Sequence, residues 1–130
     1  MKTVANEGSR IYAELRGEDN AQRMECLSQT AGAEAIIAEL SLDFVFGKIW
    51  ARDRLDRKQR SLVTIGVLIA LRQTSELEKH LQVGLTNGLS RAELEEAIVQ
   101  TAPYAGFPAA WSAANVLSSL SQGSDIEDQL

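Results

Sequence analysis

The sequence predicts an all-α protein of about six helices in a single domain spanning residues 1–130. Three observations carry this. Apolar residues recur at i, i+3, i+4 and i+7 through most of the chain, the spacing of one helix face. Both prolines lie after position 102, at Pro103 and Pro108, which leaves the first hundred positions free of helix breakers. Capping patterns of the Ser-x-x-Glu kind stand where periodic segments begin, and no alternating run reads as a strand.

The elements follow in order. Residues 6–15 read as a first helix with Ile11, Tyr12 and Leu15 on one side, ending near Gly17. The polar, mixed stretch 17–31 reads as a loop with at most one short helix, so that 1–31 forms an N-terminal helix and loop. Residues 33–49 read as one long second helix, with Ile36, Ile37, Leu40, Phe44 and Ile49 as its apolar stripe. An arginine-rich connector, Trp50-Ala-Arg-Asp-Arg-Leu55, comes next, and Asp56 with Gln59 opens a third helix over 57–72. That helix is almost continuously apolar from Leu62 to Leu71, a pattern expected of a helix buried on all sides. One small chain cannot easily surround it, so burial against a second subunit, and hence an oligomer, is expected. Ser75 with Glu78 caps a fourth helix ending at Asn87-Gly88. Ser90 with Glu93 opens a fifth, which the stretch 103–106 interrupts. Pro108 suits the first turn of a sixth helix running to residue 120, followed by a flexible acidic tail at 121–130.

Composition bounds the function. Hydrophobic residues make up 45% and charged residues 24%, ordinary values for a globular domain. A net charge of -5 argues against a nucleic-acid binder, which needs a basic stripe. No apolar run reaches about 18 residues and the first eight positions lack the apolar core of a signal peptide, so no membrane span and a cytoplasmic location are expected. The lone Cys26 permits neither an intrachain disulfide nor a CxxC redox or zinc motif. Phosphate loop, dinucleotide fingerprint and metal-ligand cluster are all missing, and no cofactor is indicated.

Few residues remain to carry chemistry. His80 is the only histidine, and its ordinary pKa suits proton transfer near neutral pH. It shares a helix face with Leu77, Leu81 and Gly84, so it is either a satisfied core residue or a catalytic one. Gly84, one turn on, leaves room beside the imidazole, and Glu76, one turn back, stands where it can pair with it. Arg52, Arg54, Arg57 and Arg60 gather about the connector, with Arg72 ending the third helix. Their forked guanidiniums can seat the carboxylates of an acidic small molecule, or can simply form a solvated surface. Ser61 and Thr64 lack a nearby acid or second histidine to complete a nucleophilic triad. Tyr104, in the corner 101–110, is a hydrogen-bond donor for a pocket or, with Phe107, a seal on the core.

From Phe46 to Leu117 the chain resembles the carboxymuconolactone decarboxylase family. The pieces that carry the likeness are Gly47-Lys-Ile-Trp50, Leu55-Asp-Arg57, Arg60-Ser-Leu62, Glu76-Leu77 with His80, Thr86-Asn-Gly88 and Tyr104-Ala-Gly-Phe-Pro-Ala-Ala110. The resemblance implies an alkylhydroperoxidase D-like helical subunit assembled into homotrimers or homohexamers. The peroxidase branch carries a CxxC whose second cysteine lies four residues before the histidine. Those positions are Gln73 and Glu76 here, which excludes thiol peroxidase chemistry. The decarboxylase branch converts a carboxylated muconolactone of aromatic-compound breakdown to an enol-lactone and carbon dioxide, without a cofactor. By this resemblance His80 transfers the proton, Arg52 and Arg60 seat substrate carboxylates, Tyr104 lines the pocket, and Lys48 stands at the substrate. The chain departs from the family where Phe46-Gly-Lys48-Ile-Trp50 replaces Trp-Gly-Glu-Ile-Trp, where Thr86 replaces an asparagine and Ala105 a cysteine, and where Trp111 is unusually large. Lys48 in place of a carboxylate leaves open a diverged isomerase, cyclase or lyase of a biosynthetic pathway, or a non-catalytic oligomeric binding protein.

Overall fold

The computed structural model describes residues 4–129, with side chains over 7–120, and the tail expected at 121–130 has its side chains outside the described residues. Every described element is helical. The chain divides into two compact units, residues 1–56 and 57–130.

In the first unit, α1 (Val4–Arg16) turns at Gly17 into α2 (Glu18–Ser28), and α3 (Ala33–Leu40) runs straight into a π-helix (Ser41–Ile49). Residues 17–31 are therefore mostly helix rather than loop. Glu18 and Asp19 sit in the first turn of α2, where the helix dipole favours carboxylates, and Gly17 at φ 92 makes the turn that frees the chain to restart. A second correction concerns residues 33–49. The stripe Ile36, Ile37, Leu40 and Phe44 is more than half exposed, and Ile49 is exposed too; Ala35, Ala38, Leu42, Phe46 and Trp50 are buried instead. The π-helix accounts for part of the difference. Its hydrogen bonds reach five residues back, as in Trp50 N–H donating to Val45 C=O at 2.9 Å, and the wider turn keeps Leu42, Phe46 and Trp50, four apart, on one side.

That side packs on α1. Tyr12 meets Phe46 edge-on, with centroids 4.8 Å apart, and Phe46 lies over Trp50 at 6.4 Å. The two backbones touch at Gly8. A Cβ built there would fall 1.8 Å from the Leu42 carbonyl oxygen and 3.1 Å from the Gly47 nitrogen.

The second unit packs α4 (Arg57–Ala70), α5 (Thr74–Thr86), α6 (Arg91–Ala105) and α7 (Phe107–Gln129) around Ile65, Ile69, Leu77, Leu81 and Leu94. Helix α4 ends in a Schellman motif: Gln73 N–H donates to Leu68 C=O at 3.0 Å and Arg72 N–H to Ile69 C=O at 3.1 Å, with Arg72 left-handed at φ 56. This ending delivers the chain directly into α5, whose N-cap is Gln73, so the expected Ser75 cap falls inside the helix and is not used. Two later boundaries match expectation, while the last helix, expected to stop at residue 120, continues to Gln129. Asn87 and Gly88, at φ 102, close α5, and Ser90 with Glu93 makes both bonds of a capping box. Pro103 does not interrupt α6, which continues to Ala105 and stops at Gly106, φ 100. The carbonyl that loses its donor belongs to Val99, an exposed residue, so water can satisfy it.

Candidate functional site

The expected site residues divide between the units. Lys48, in the last turn of the π-helix, and Arg52, in the connector that follows, belong to the first, and both are exposed. Arg60, His80 and Tyr104 belong to the second.

In that second unit α4 packs on α5, bringing the helix that carries Arg60 against the one that carries His80. His80 projects from α5 between the buried Leu77 and Leu81, and its periodicity gives it an inward direction. It is half-buried, with Nδ1 shielded from solvent, a placement that suits an imidazole offering one nitrogen to a ligand. Arg60 is likewise half-buried with its Nε shielded. Its carbonyl accepts from Thr64 Oγ1 at 2.8 Å. Tyr104, at the end of α6, is 84% exposed, and Phe107 and Trp111 are also open, so neither Tyr104 nor Phe107 seals a core.

Two expectations around His80 change. Gly84 does not open space beside the imidazole. A Cβ there would meet Leu89, Leu94 and Ile65 methyls at 3.1, 3.3 and 3.4 Å, so this glycine lets those core side chains close on α5. Glu76 is engaged by Lys79, whose Nζ lies 3.1 Å from its carboxylate.

Sequence reasoning missed the clasp that fixes α4 on α5. Asn87 Nδ2 donates to Ser61 Oγ at 2.9 Å and to Arg57 C=O at 3.3 Å. Ser61 is wholly buried, so this bond satisfies a hydroxyl that burial would otherwise penalise. Lys58 lays its stem over Gly88, within 3.1 Å of where a Cβ would stand. The signal was a buried-face serine 26 residues before an asparagine that also had a complete explanation as a helix stop.

A groove of about 540 Å³ lies between α4 and α6, lined by Leu62 of α4 and by Ala97 and Thr101 of α6, with Glu93 and Glu96 at its edge. Among the described residues no cluster of His, Cys, Asp and Glu could hold a metal ion, and no helix is long and apolar enough to cross a membrane. Cys26 is an exposed free thiol.

The model of the carboxymuconolactone decarboxylase family matches residues 35–119, well over half of the chain. A 4-carboxymuconolactone decarboxylase of Acinetobacter baylyi is 47% identical over 66 residues, 51% of this chain and 49% of that protein. The nitrosuccinic acid decarboxylase npaB of Metarhizium robertsii is 40% identical over 70 residues, 54% of this chain and 49% of its own. An uncharacterized 15.0 kDa protein from the nqo9-nqo10 intergenic region of Paracoccus denitrificans is 32% identical over 88 residues, 66% of each. The chain thus spans about half the length of the two named decarboxylases.

Proposed function

The chain belongs to the carboxymuconolactone decarboxylase family, and from that premise we propose that it is a carboxy-lyase acting on a small acidic molecule, with His80 as the proton donor. The observation that carries the reading is the half-buried His80 on α5, the one imidazole of a chain similar to two decarboxylases of different substrates.

Those two substrates share a chemistry. A lactone carbonyl conjugated to the reacting carbon, or a nitro group, can absorb the electron pair left when a carbon–carbon bond to carboxylate breaks. Carbon dioxide departs, the pair rests on the acceptor group, and a proton from His80 then quenches the carbon; water returns that proton to the imidazole. No electron is gained or lost overall, so the step as proposed needs no cofactor. Arg60, in the same unit as His80, is the proposed carboxylate-binding cation of that unit, and Tyr104 is a proposed hydrogen-bond donor; Arg52 and Lys48, on the first unit, are proposed carboxylate-binding cations on the family resemblance alone. Desolvating a carboxylate as it leaves favours the neutral product, so the cations serve best at the carboxylate that stays.

The test is carbon dioxide release from 4-carboxymuconolactone and from nitrosuccinate. Turnover of either by the native chain, falling about 10²- to 10⁴-fold in His80→Gln with the fold intact, is the expected result. Absence of turnover on both substrates refutes the decarboxylase reading for these two classes, and full activity in His80→Gln refutes the role of His80. Lys48, a cation where the family pattern carries an acid, favours a second reading: a substrate with one more negative charge, handled by a diverged lyase, isomerase or cyclase. A Lys48→Glu variant that gains activity on carboxymuconolactone supports it.

A further inference from the structure

An Asn-Gly helix stop needs one residue in the left-handed region, and in α5 that residue is Gly88, at φ 102. Asn87, the C-cap before it, is right-handed at φ -79 and ψ 0, a conformation open to any residue. The stop therefore does not call for asparagine. Its side chain is spent on α4: the amide nitrogen donates to Ser61 Oγ at 2.9 Å and to Arg57 C=O at 3.3 Å. Residues 57 and 61 are one turn apart, so Asn87 grips one stripe of α4 at two successive turns.

These contacts set the register of the seam. Asn87 lies against Ser61, and Gly84, one turn back on α5, lies against Ile65, one turn on along α4. The two helices thus run antiparallel, and the next turn brings His80 level with Leu68. Asn87 and His80, seven positions apart, share one stripe of α5. Arg60 adjoins Ser61 in the clasp, about two turns along the seam from His80. A slip of one residue moves one helix along the other by about 1.5 Å, and changes the spacing of Arg60 and the imidazole by as much.

We propose that Asn87 is a positioning residue for His80: its clasp on Arg57 and Ser61 fixes the rotation and register of α5 on α4. With them it fixes the spacing between the proton donor and Arg60. The inference rests on the reading of His80 as proton donor and Arg60 as carboxylate-binding cation. A retained carboxylate held at Arg60 then presents the reacting carbon to the imidazole at a set distance. Two bonds from one amide to successive turns resist sliding as well as rotation, where one bond would act as a pivot. Ser61 is wholly buried, so loss of the amide leaves its hydroxyl without a partner and favours displacement of the seam.

Asn87→Ala and Ser61→Ala, compared with Ile98→Val in the full chain, test this. Ile98→Val removes one buried methylene from α6 and weakens the fold away from the clasp. The substrate is whichever of 4-carboxymuconolactone and nitrosuccinate the native chain turns over. With circular dichroism unchanged, kcat should fall at least about tenfold in Asn87→Ala and KM should move little, because a misplacement of about 1 Å can cost about 10²-fold. Ser61→Ala keeps the bond to Arg57 C=O and should show a smaller fall; it carries the test should Asn87→Ala fail to fold. The single histidine gives a single imidazole Cε1–H proton resonance, which should move in both clasp variants and stand still in Ile98→Val. That resonance needs no substrate, so it tests the positioning of His80 even where the decarboxylase reading fails. Native kcat in Asn87→Ala, a fall no greater than in Ile98→Val, or an unmoved His80 resonance overturns the proposal.

Discussion

Replacing Gly8 by alanine tests the contact on which the first unit is built. The new Cβ would stand 1.8 Å from the Leu42 carbonyl oxygen and 2.7 Å from its carbon, against ordinary contact at 3.4 Å and beyond. Both obstacles are backbone atoms, so no rotamer change relieves them, and α1 must draw away from the π-helix by roughly 1 to 1.5 Å, a gap that forfeits about half of the dispersion energy across the contact. Helix α1 is anchored by three buried side chains, Ile11, Tyr12 and Leu15. At about 2 kcal/mol each they supply about 6 kcal/mol, and losing half of that costs about 3 kcal/mol. The gain in helix propensity from glycine to alanine returns about 1 kcal/mol. The net expectation is a loss of about 2 kcal/mol. Urea unfolding followed by tryptophan fluorescence reads it directly, because Trp50 is buried at 6% exposure beside this contact while Trp111 is 69% exposed in the other unit. A Trp111→Phe background isolates the signal. Equal or higher stability in Gly8→Ala would refute the close backbone approach and, with it, the account of how the π-helix is held.

The clasp between α4 and α5 gives a second expectation: Asn87→Ala leaves the wholly buried Ser61 hydroxyl without its donor and should cost about 1 to 3 kcal/mol in a thermal or urea melt, whereas Ser61→Ala/Asn87→Ala together should cost less than the sum of the two single changes. At the start of α6, Ser90→Ala removes one half of a complete capping box and should cost about 1 kcal/mol. The other half is sensitive to pH. Hydrogen bonding from Ser90, chiefly its backbone N–H, holds the Glu93 carboxyl below the ordinary glutamate range. A depressed folded value means the stabilisation is present above the unfolded value and is lost as pH falls through the folded one. The melting temperature should therefore drop more steeply in the native chain than in Glu93→Gln on going from about pH 5 to pH 3.

What the sequence made legible was whatever depends on short-range chemistry. The Ser90–Glu93 capping box and the Asn87-Gly88 stop stand where the pattern places them, because a cap is decided by three or four neighbouring residues. Pro103 misled for the same reason: local chemistry says break, yet the proline sits in the last turn of α6, where only the Val99 carbonyl goes without a donor. The segment 33–49 was misread for a different cause. Ile36, Ile37, Leu40 and Phe44 form a better stripe at α-helical spacing than Ala35, Ala38, Leu42 and Phe46 do, and hydrophobicity alone prefers them for the core. The glycine at position 8 decides otherwise, since only the side bearing Leu42 and Gly47 can meet the α1 backbone closely. That is a contact between residues more than thirty positions apart, invisible to any window along the chain.

The candidate site shows the same division. His80 stood out because it is unique, and the helix face assigned to it holds, with Leu77 and Leu81 buried on either side. What its neighbours do was not legible: Gly84 serves the packing of Leu89, Leu94 and Ile65, and Glu76 is engaged by Lys79. Both had been given roles by their distance from the histidine along the helix. Spacing fixes direction from the helix axis, but what lies in that direction belongs to other helices. The cations follow the same logic. Arg60 is half-buried on α4, the helix that Asn87 pins to α5 through Ser61. Lys48 owes its place to the π-helix, whose last turn carries it. The substitution that most sets this chain apart from the family pattern therefore sits on its least common backbone element. A π-helix turn persists only where surrounding packing over-determines it, and such turns gather at functional sites. Here the packing is the buried ladder of Tyr12, Phe46 and Trp50, closed by the Gly8 contact. The charge at position 48 can thus change, from the family's acid to this chain's base, while the backbone that presents it is held by residues the change does not touch.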